Sequence, residues 1–265
     1  MLDRRSSAAI RGWTTIDRAY AGSFRGVLQN QRWQVDHSPF PHILQFPVFA
    51  ESFYNCLDNA VREILSRGLS ERPDRNCFSR SIPGYDAYSA PVPPVKCLRI
   101  FFSDFWRELL SRPFGVHVTR QVSCYIHHHR AGSANGWVHN DLNPGQEAAN
   151  TGSGEPDLLR SPFEPLTVRA IAMIYYVGNA PWAPGDGGVT GLYFGPNDPV
   201  DRPAKVVPPI NNSLLTFECT PKSFHSFISN RVHPRTCIVL WLHRHRADAI
   251  LRWGEKTIIE WPSRE

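Results

Sequence analysis

Apolar side chains between residues 50 and 67 recur at helical spacing. Phe53, Leu57, Val61, Ile64 and Leu65 fall on one face, which predicts an amphipathic helix over 50–67. A shorter helix is expected over 103–110. From residue 121 the period changes. Short apolar runs at 121–126, 168–177, 191–194, 212–218 and 236–242, each bounded by turn residues, predict strands. The chain thus reads as helices first and a strand-rich half afterwards. A proline-rich stretch over 79–94, with Pro83, Gly84, Pro91, Pro93 and Pro94, predicts an ordered loop wrapped on the domain. A second turn-rich stretch, 142–165, interrupts the strand series.

Composition narrows the class. With 265 residues and 42% hydrophobic content the chain can bury one good core, or two small ones. One domain over 31–265 is expected behind an N-terminal extension of 1–30. That extension carries Arg4, Arg5, Arg11, Arg18 and Arg25 against Asp3 and Asp17, a composition weakly similar to an organelle transit peptide. The six cysteines, Cys56, Cys77, Cys97, Cys124, Cys219 and Cys237, include no C-x-x-C pair. They point to neither a zinc ribbon nor a disulfide framework and fit a reducing, cytoplasmic setting. No apolar run reaches the roughly 18 to 20 residues that span a bilayer, so no membrane partner is expected. The formal charge of +5 comes from arginines spread along the chain. Lacking a basic stripe with interleaved aromatics, it biases the protein toward small anions, and a nucleic-acid partner is not expected.

The chemistry concentrates in Trp137-Val138-His139-Asn140-Asp141. Residues two apart on an extended chain point to the same side, so an imidazole and a carboxylate can take adjacent corners of one metal. Alone the pair is weak, since His and Asp are common. Ser223-Phe224-His225 adds a third ligand type, followed by Arg235 and Trp241. The turn-like residues 229–234 predict a hairpin with Arg235 and Trp241 on one face. Two histidines and one carboxylate leave coordination positions open, whereas a closed structural zinc site needs a fourth protein ligand. An arginine fork beside such a site suits a carboxylate better than a lysine does. His127-His128-His129 face alternate sides as consecutive strand residues and cannot share one ion, so two of the three are expected to be solvated. His243 and His245, with Arg244 and Arg246, are expected to form a solvated basic face.

In this order the segments resemble the prolyl 4-hydroxylase-like branch of the iron(II)/2-oxoglutarate dioxygenases. The resemblance is carried by Pro41-His42-Ile43-Leu44-Gln45-Phe46 before the first helix and by 121–125 before the metal motif. It continues through Ile174-Tyr175-Tyr176-Val177-Gly178-Asn179 with Trp182 and Gly187-Gly188, and closes with 212–217, His225 and 235–241, covering about residues 40–250. It implies a mainly β fold with flanking helices around a double-stranded β-helix, the jelly-roll or cupin-like barrel, over about 116–245. It also implies that His139, Asp141 and His225 hold iron(II) and that Arg235 holds 2-oxoglutarate. Tyr176 would donate to the same carboxylate and Tyr125 would line the cosubstrate pocket, with Tyr175 as the alternative if the strand register slips by one residue. Trp241 is either a core residue or a cosubstrate contact.

The activity so implied is hydroxylation, or another oxidation, of an unactivated C–H bond. Dioxygen and 2-oxoglutarate are consumed, succinate and carbon dioxide released, and ascorbate is a candidate reductant. A small-molecule substrate such as an amino acid or biosynthetic intermediate is expected, with a protein or peptide side chain as the alternative. A halogenase of this fold is disfavoured by Asp141, which such enzymes replace with a small residue. A non-catalytic binding module would be expected to have lost a ligand or the arginine, and none of the four is lost. The stretch 142–165 leaves directly from Asp141 and is expected to act as a lid over the substrate.

Overall fold

The structure, a computed structural model, describes residues 27–30, 32–69, 78, 87–144 and 167–259. The expected lid from residue 145 onward, residues 79–86 of the expected wrapping loop, and residues 1–26 lie outside the described residues. Residues 27–29 pair with the domain: the Ala50 amide donates to Val27 O and the Gln29 amide to Val48 O.

The strand-rich half builds two sheets. The larger contains β1 (Val35–Asp36), β2 (His42–Gln45), β3 (Tyr88–Pro91), β4 (Val122–His129), β5 (Thr167–Tyr176), β8 (Ser213–Glu218) and β10 (Arg235–His245). Its spatial order is β1-β2-β8-β5-β10-β4-β3. The smaller contains β6 (Thr190–Leu192), β7 (Lys205–Val207) and β9 (His225–Phe227), in the order β7-β6-β9. His139 bridges antiparallel to His225 and so extends the small sheet past β9. From β4 onward the chain passes back and forth between the sheets, which is the winding of a double-stranded β-helix.

Each face of the large sheet buries its own core. On the outer face lie α1 (Glu51–Gly68) and α2 (Asp104–Ser111), where Leu57, Val61, Trp106 and Leu110 pack with Ile171, Met173, Tyr175, Ile238 and Leu240. Ser103 caps α2 by accepting from the Trp106 amide at 3.2 Å, and the fully buried Trp106 stacks on Phe49 at 5.3 Å. Between the sheets Ala172, Ile174, Tyr176, Leu192, Phe217, Val239 and Trp241 form the second core. Alternation along β5 from Ile171 to Tyr176 and along β10 from Cys237 to Leu242 divides the residues between the cores.

Several expectations need correction. Residues 225 and 235 do not flank a hairpin: β9 pairs with β6 in the small sheet, whereas β10 pairs with β4 and β5 in the large one. Part of the expected wrapping loop is the strand β3, which pairs with β4. His127, His128 and His129 are all buried, on an interior strand that runs between β10 and β3. His243 and Arg244 are also buried rather than on a basic face: Ser123 Oγ meets His243 Nε2 at 3.0 Å, and Arg244 pairs with Glu218 at 2.7 Å. Only His245 of that group is exposed, at the end of β10 where α3 (Arg246–Trp253) begins.

Candidate active site

His139, Asp141 and His225 meet at one end of the inner core, with one possible ligand atom from each lying within 4.8 Å of the others. Backbone pairing sets this geometry. The His139 amide donates to His225 O at 3.1 Å and the His225 amide to His139 O at 2.8 Å, which brings the imidazole centroids to 4.5 Å. Asp141, two residues on, turns to the same side. Its Oδ2 lies 3.5 Å from His225 Nε2 and its Oδ1 4.0 Å from His139 Nε2.

Tautomer and charge suit the three groups to a cation. Each histidine Nδ1 sits on a carbonyl that can only accept, Trp137 O at 2.8 Å for His139 and Ser223 O at 3.1 Å for His225. The proton therefore belongs on Nδ1, and Nε2 presents its lone pair to the cluster. Burial pushes the Asp141 carboxyl up, but Arg169, the two histidines and the Trp241 N–H outweigh it and hold it at about 2. Burial and the neighbouring His225 lower His139 to about 4, so it is neutral at physiological pH. Two imidazole nitrogens and a carboxylate are the donor set of a facial iron(II) site with three positions left open. Among the described residues no fourth His, Cys, Asp or Glu joins the cluster to close it as a structural zinc site would require.

Two side chains orient Asp141. Trp241 Nε1 donates to Oδ2 at 2.8 Å and Arg169 Nη1 to Oδ1 at 3.0 Å, while the Arg169 guanidinium lies 3.8 Å over the Trp241 ring. The sequence reading missed Arg169. A bulge opposite Leu242 and His243 shifts the register of β5, pairing Ile171 with Leu242 but Arg169 with His243. Arg169 therefore shares a face with residues of the other parity, and strand alternation could not reveal it.

Arg235 lies farther along the same interior. Its guanidinium is buried, donates from Nη2 to Thr190 Oγ1 at 3.0 Å, and lies 5.2 Å from the Tyr176 ring and 5.3 Å from the Phe227 ring. Tyr176 Oη shares Thr190 Oγ1 at 2.7 Å. The register question is answered here: Tyr176 faces this group, whereas Tyr175 points to the outer core and donates to Asn212 Oδ1 at 3.2 Å. Thr190 was also missed, since a three-residue strand carries too little periodicity to assign a face. Gly188 has φ +71, a backbone conformation that favours glycine, and a Cβ there would lie 3.2 Å from Asn230 Cβ, so the glycine lets the turn pass close to Asn230 beside the arginine stem. Tyr125 stands apart from the Arg235 group as a half-buried wall of the interior, its ring 6.3 Å from that of Trp241.

Residues 157–243 match the family model of the 2OG-Fe(II) oxygenase superfamily. No curated protein matches the chain. Among solved structures, a Pseudomonas putida prolyl-4-hydroxylase aligns with a TM-score of 0.53 and 14% identity over 77% of this chain and 92% of its own. A Trichoplax adhaerens prolyl hydroxylase, solved with a hypoxia inducible factor oxygen degradation domain peptide fragment, aligns with a TM-score of 0.53 and 17% identity over 81% of this chain and 87% of its own. At these identities the likeness is one of fold. The family match spans β5 to β10, the strands that wind the barrel and carry both His225 and Arg235; over these residues the chain is similar to the 2OG-Fe(II) oxygenase superfamily, and its fold is like that of the prolyl 4-hydroxylases.

Proposed function

We propose that His139, Asp141 and His225 hold iron(II), that Arg235 with Tyr176 and Thr190 holds the far carboxylate of 2-oxoglutarate, and that the protein hydroxylates a C–H bond of a small carboxylate-bearing molecule such as an amino acid. The observation that carries this reading is the placement of the three-ligand cluster and the buried guanidinium in one interior. Phe227, beside Arg235, is two residues from His225 along β9, a separation of roughly 7 Å that a five-carbon dicarboxylate can bridge. When bound, the metal activates dioxygen for the oxidative decarboxylation of 2-oxoglutarate to succinate and carbon dioxide. The chain's own residues orient the reactants. Arg235 and Tyr176 fix one end of the cosubstrate by charge-assisted hydrogen bonds in a dry site. Trp241 and Arg169 hold Asp141 ionised and in one rotamer. The apolar walls Phe217, Leu192 and Val239 exclude water from the reacting centre.

The small-molecule reading draws on Arg169. One of its five N–H donors serves Asp141, and among the described residues no other hydrogen bond of its guanidinium occurs, which leaves donors for a substrate carboxylate or carbonyl. A peptide substrate is the second reading, favoured by the fold shared with prolyl hydroxylases, one of them solved with a peptide fragment. The test is succinate release by the iron-loaded protein against a metabolite library and a set of proline-containing peptides, with products identified by mass spectrometry. Substrate-dependent succinate from an amino-acid-like compound supports the first reading and from peptides alone the second. No 2-oxoglutarate binding at all would overturn both.

A further inference from the structure

The inner face of the large sheet makes a floor of paired residues running from Arg235 toward the metal cluster. The register sets their order: Arg235 opposite His129, Cys237 opposite His127, Val239 opposite Tyr125, and Trp241 opposite Ser123. His127 therefore occupies the rung next to Arg235. It is 8% exposed, and its ring centroid lies 6.1 Å from that of Trp241.

The other buried histidines have visible partners. His42 Nδ1 sits on Phe40 O at 2.8 Å, His128 on Thr236 Oγ1 at 3.0 Å, His225 on Ser223 O at 3.1 Å and His243 on Ser123 Oγ at 3.0 Å. His129 stacks on Phe227 at 3.7 Å. No hydrogen bond to the His127 ring occurs among the described residues, yet neither of its nitrogens is among the polar atoms sealed off without a partner. An imidazole nitrogen that stays open to the interior with no protein partner is available to a ligand that enters the site.

We infer that His127 is a further cosubstrate-binding residue, its ring N–H donating to a carboxylate oxygen of the 2-oxoglutarate held between Arg235 and the metal cluster. The inference rests on the reading of the site proposed above. Burial, then Arg235 and Arg169, press the imidazole down to about 3, so at neutral pH it carries one N–H and no charge. The two guanidiniums make the interior favourable for a dianion, and a neutral donor adds a hydrogen bond without adding repulsion between cations.

The test is an anaerobic calorimetric titration of 2-oxoglutarate into the full-length protein loaded with Mn(II), comparing wild type, His127→Leu and His127→Gln. Leucine removes the donor while filling the space, and glutamine retains an N–H. We expect His127→Leu to weaken 2-oxoglutarate binding roughly 10- to 100-fold with Mn(II) affinity unchanged, and His127→Gln to recover most of the loss. Equal 2-oxoglutarate affinity in wild type and His127→Leu, or a glutamine variant as weak as the leucine one, would overturn the inference while leaving the site assignment standing. Failure of the wild type to bind 2-oxoglutarate would instead overturn the reading on which the inference rests.

Discussion

Replacing Arg235 with lysine tests the cosubstrate assignment with the least disturbance to the fold. The guanidinium is 4% exposed and already gives one donor to Thr190 Oγ1 at 3.0 Å, with the Tyr176 and Phe227 rings on its flanks. Its fixed plane can serve Thr190 and both oxygens of a carboxylate at once. An ammonium on a shorter stem keeps the charge but cannot meet all three in that geometry. Truncating one partner of a buried, hydrogen-bonded charge pair costs about 2 to 5 kcal/mol. Because lysine retains the charge, the loss falls at the lower end, about 2 kcal/mol or roughly 30-fold. The measurement is the KM for 2-oxoglutarate from succinate release, paired with an anaerobic titration for Kd and circular dichroism to confirm folding. Both constants should rise by that factor while the KM of the organic substrate stays near its original value. An unchanged 2-oxoglutarate KM together with a raised substrate KM would mean that Arg235 faces the substrate, and the assignment of the interior would have to be reversed.

Other perturbations probe the cluster and the buried histidines. His139→Ala, Asp141→Ala and His225→Ala should each abolish iron(II) binding and turnover, because two remaining ligands cannot hold a labile divalent ion against water; near-normal turnover in any one sinks the ligand assignment. Trp241→Phe removes the 2.8 Å hydrogen bond to Asp141 and should lower metal affinity about 10- to 100-fold by equilibrium titration, and an unaltered affinity would show that Asp141 needs no such support. Burial presses His128 to about 4 and His243 to about 3, both below the roughly 6.5 of an unfolded histidine. As pH falls below about 6.5 the unfolded chain takes up protons that the folded chain refuses, so stability declines toward about pH 4 by up to about 1.4 kcal/mol per pH unit for each group. Denaturation midpoints at pH 7 and pH 5 read this slope, which His128→Asn should reduce; a slope identical to wild type in that variant would refute the buried neutral state of His128.

The elements legible in the sequence were those with enough length or contrast to show a period. The helix at 50–67 appears as α1, Glu51–Gly68, because its buried Leu57 and Val61 alternate with charged residues at helical spacing. The apolar runs at 168–177 and 236–242 appear as β5 and β10, since both faces of these strands are covered and their central residues are almost all apolar. The run at 191–194 overlaps β6, Thr190–Leu192, whereas β7 and β9, with three residues each, are too short for any period to stand out. The H-x-D pair was readable for a local reason: two residues on an extended chain share a side wherever the chain lies. Placing His225 beside it depended instead on backbone pairing across 86 residues of chain, which the sequence signalled only through the order of its neighbours.

The failures share one physical cause. Two of His127–His129, and residues 243–244, read as solvated because polar residues on a strand usually mark the face turned to water. Here β4 and β10 are interior strands whose residues on both faces are buried, so a polar residue on either face must find a partner. His128 finds Thr236, His243 finds Ser123, and Arg244 finds Glu218. Burial thus removes the polar alternation that a sequence can show and replaces it with specific hydrogen bonds that it cannot show. Arg169 combines both obstacles, since it is mostly buried against Asp141 and Trp241 and is displaced by one residue of parity at the β5 bulge. In a barrel of this kind, polar residues on covered strands divide into those whose partners are protein groups and those whose partners must arrive with a ligand, and only the three-dimensional inventory of hydrogen bonds separates the two.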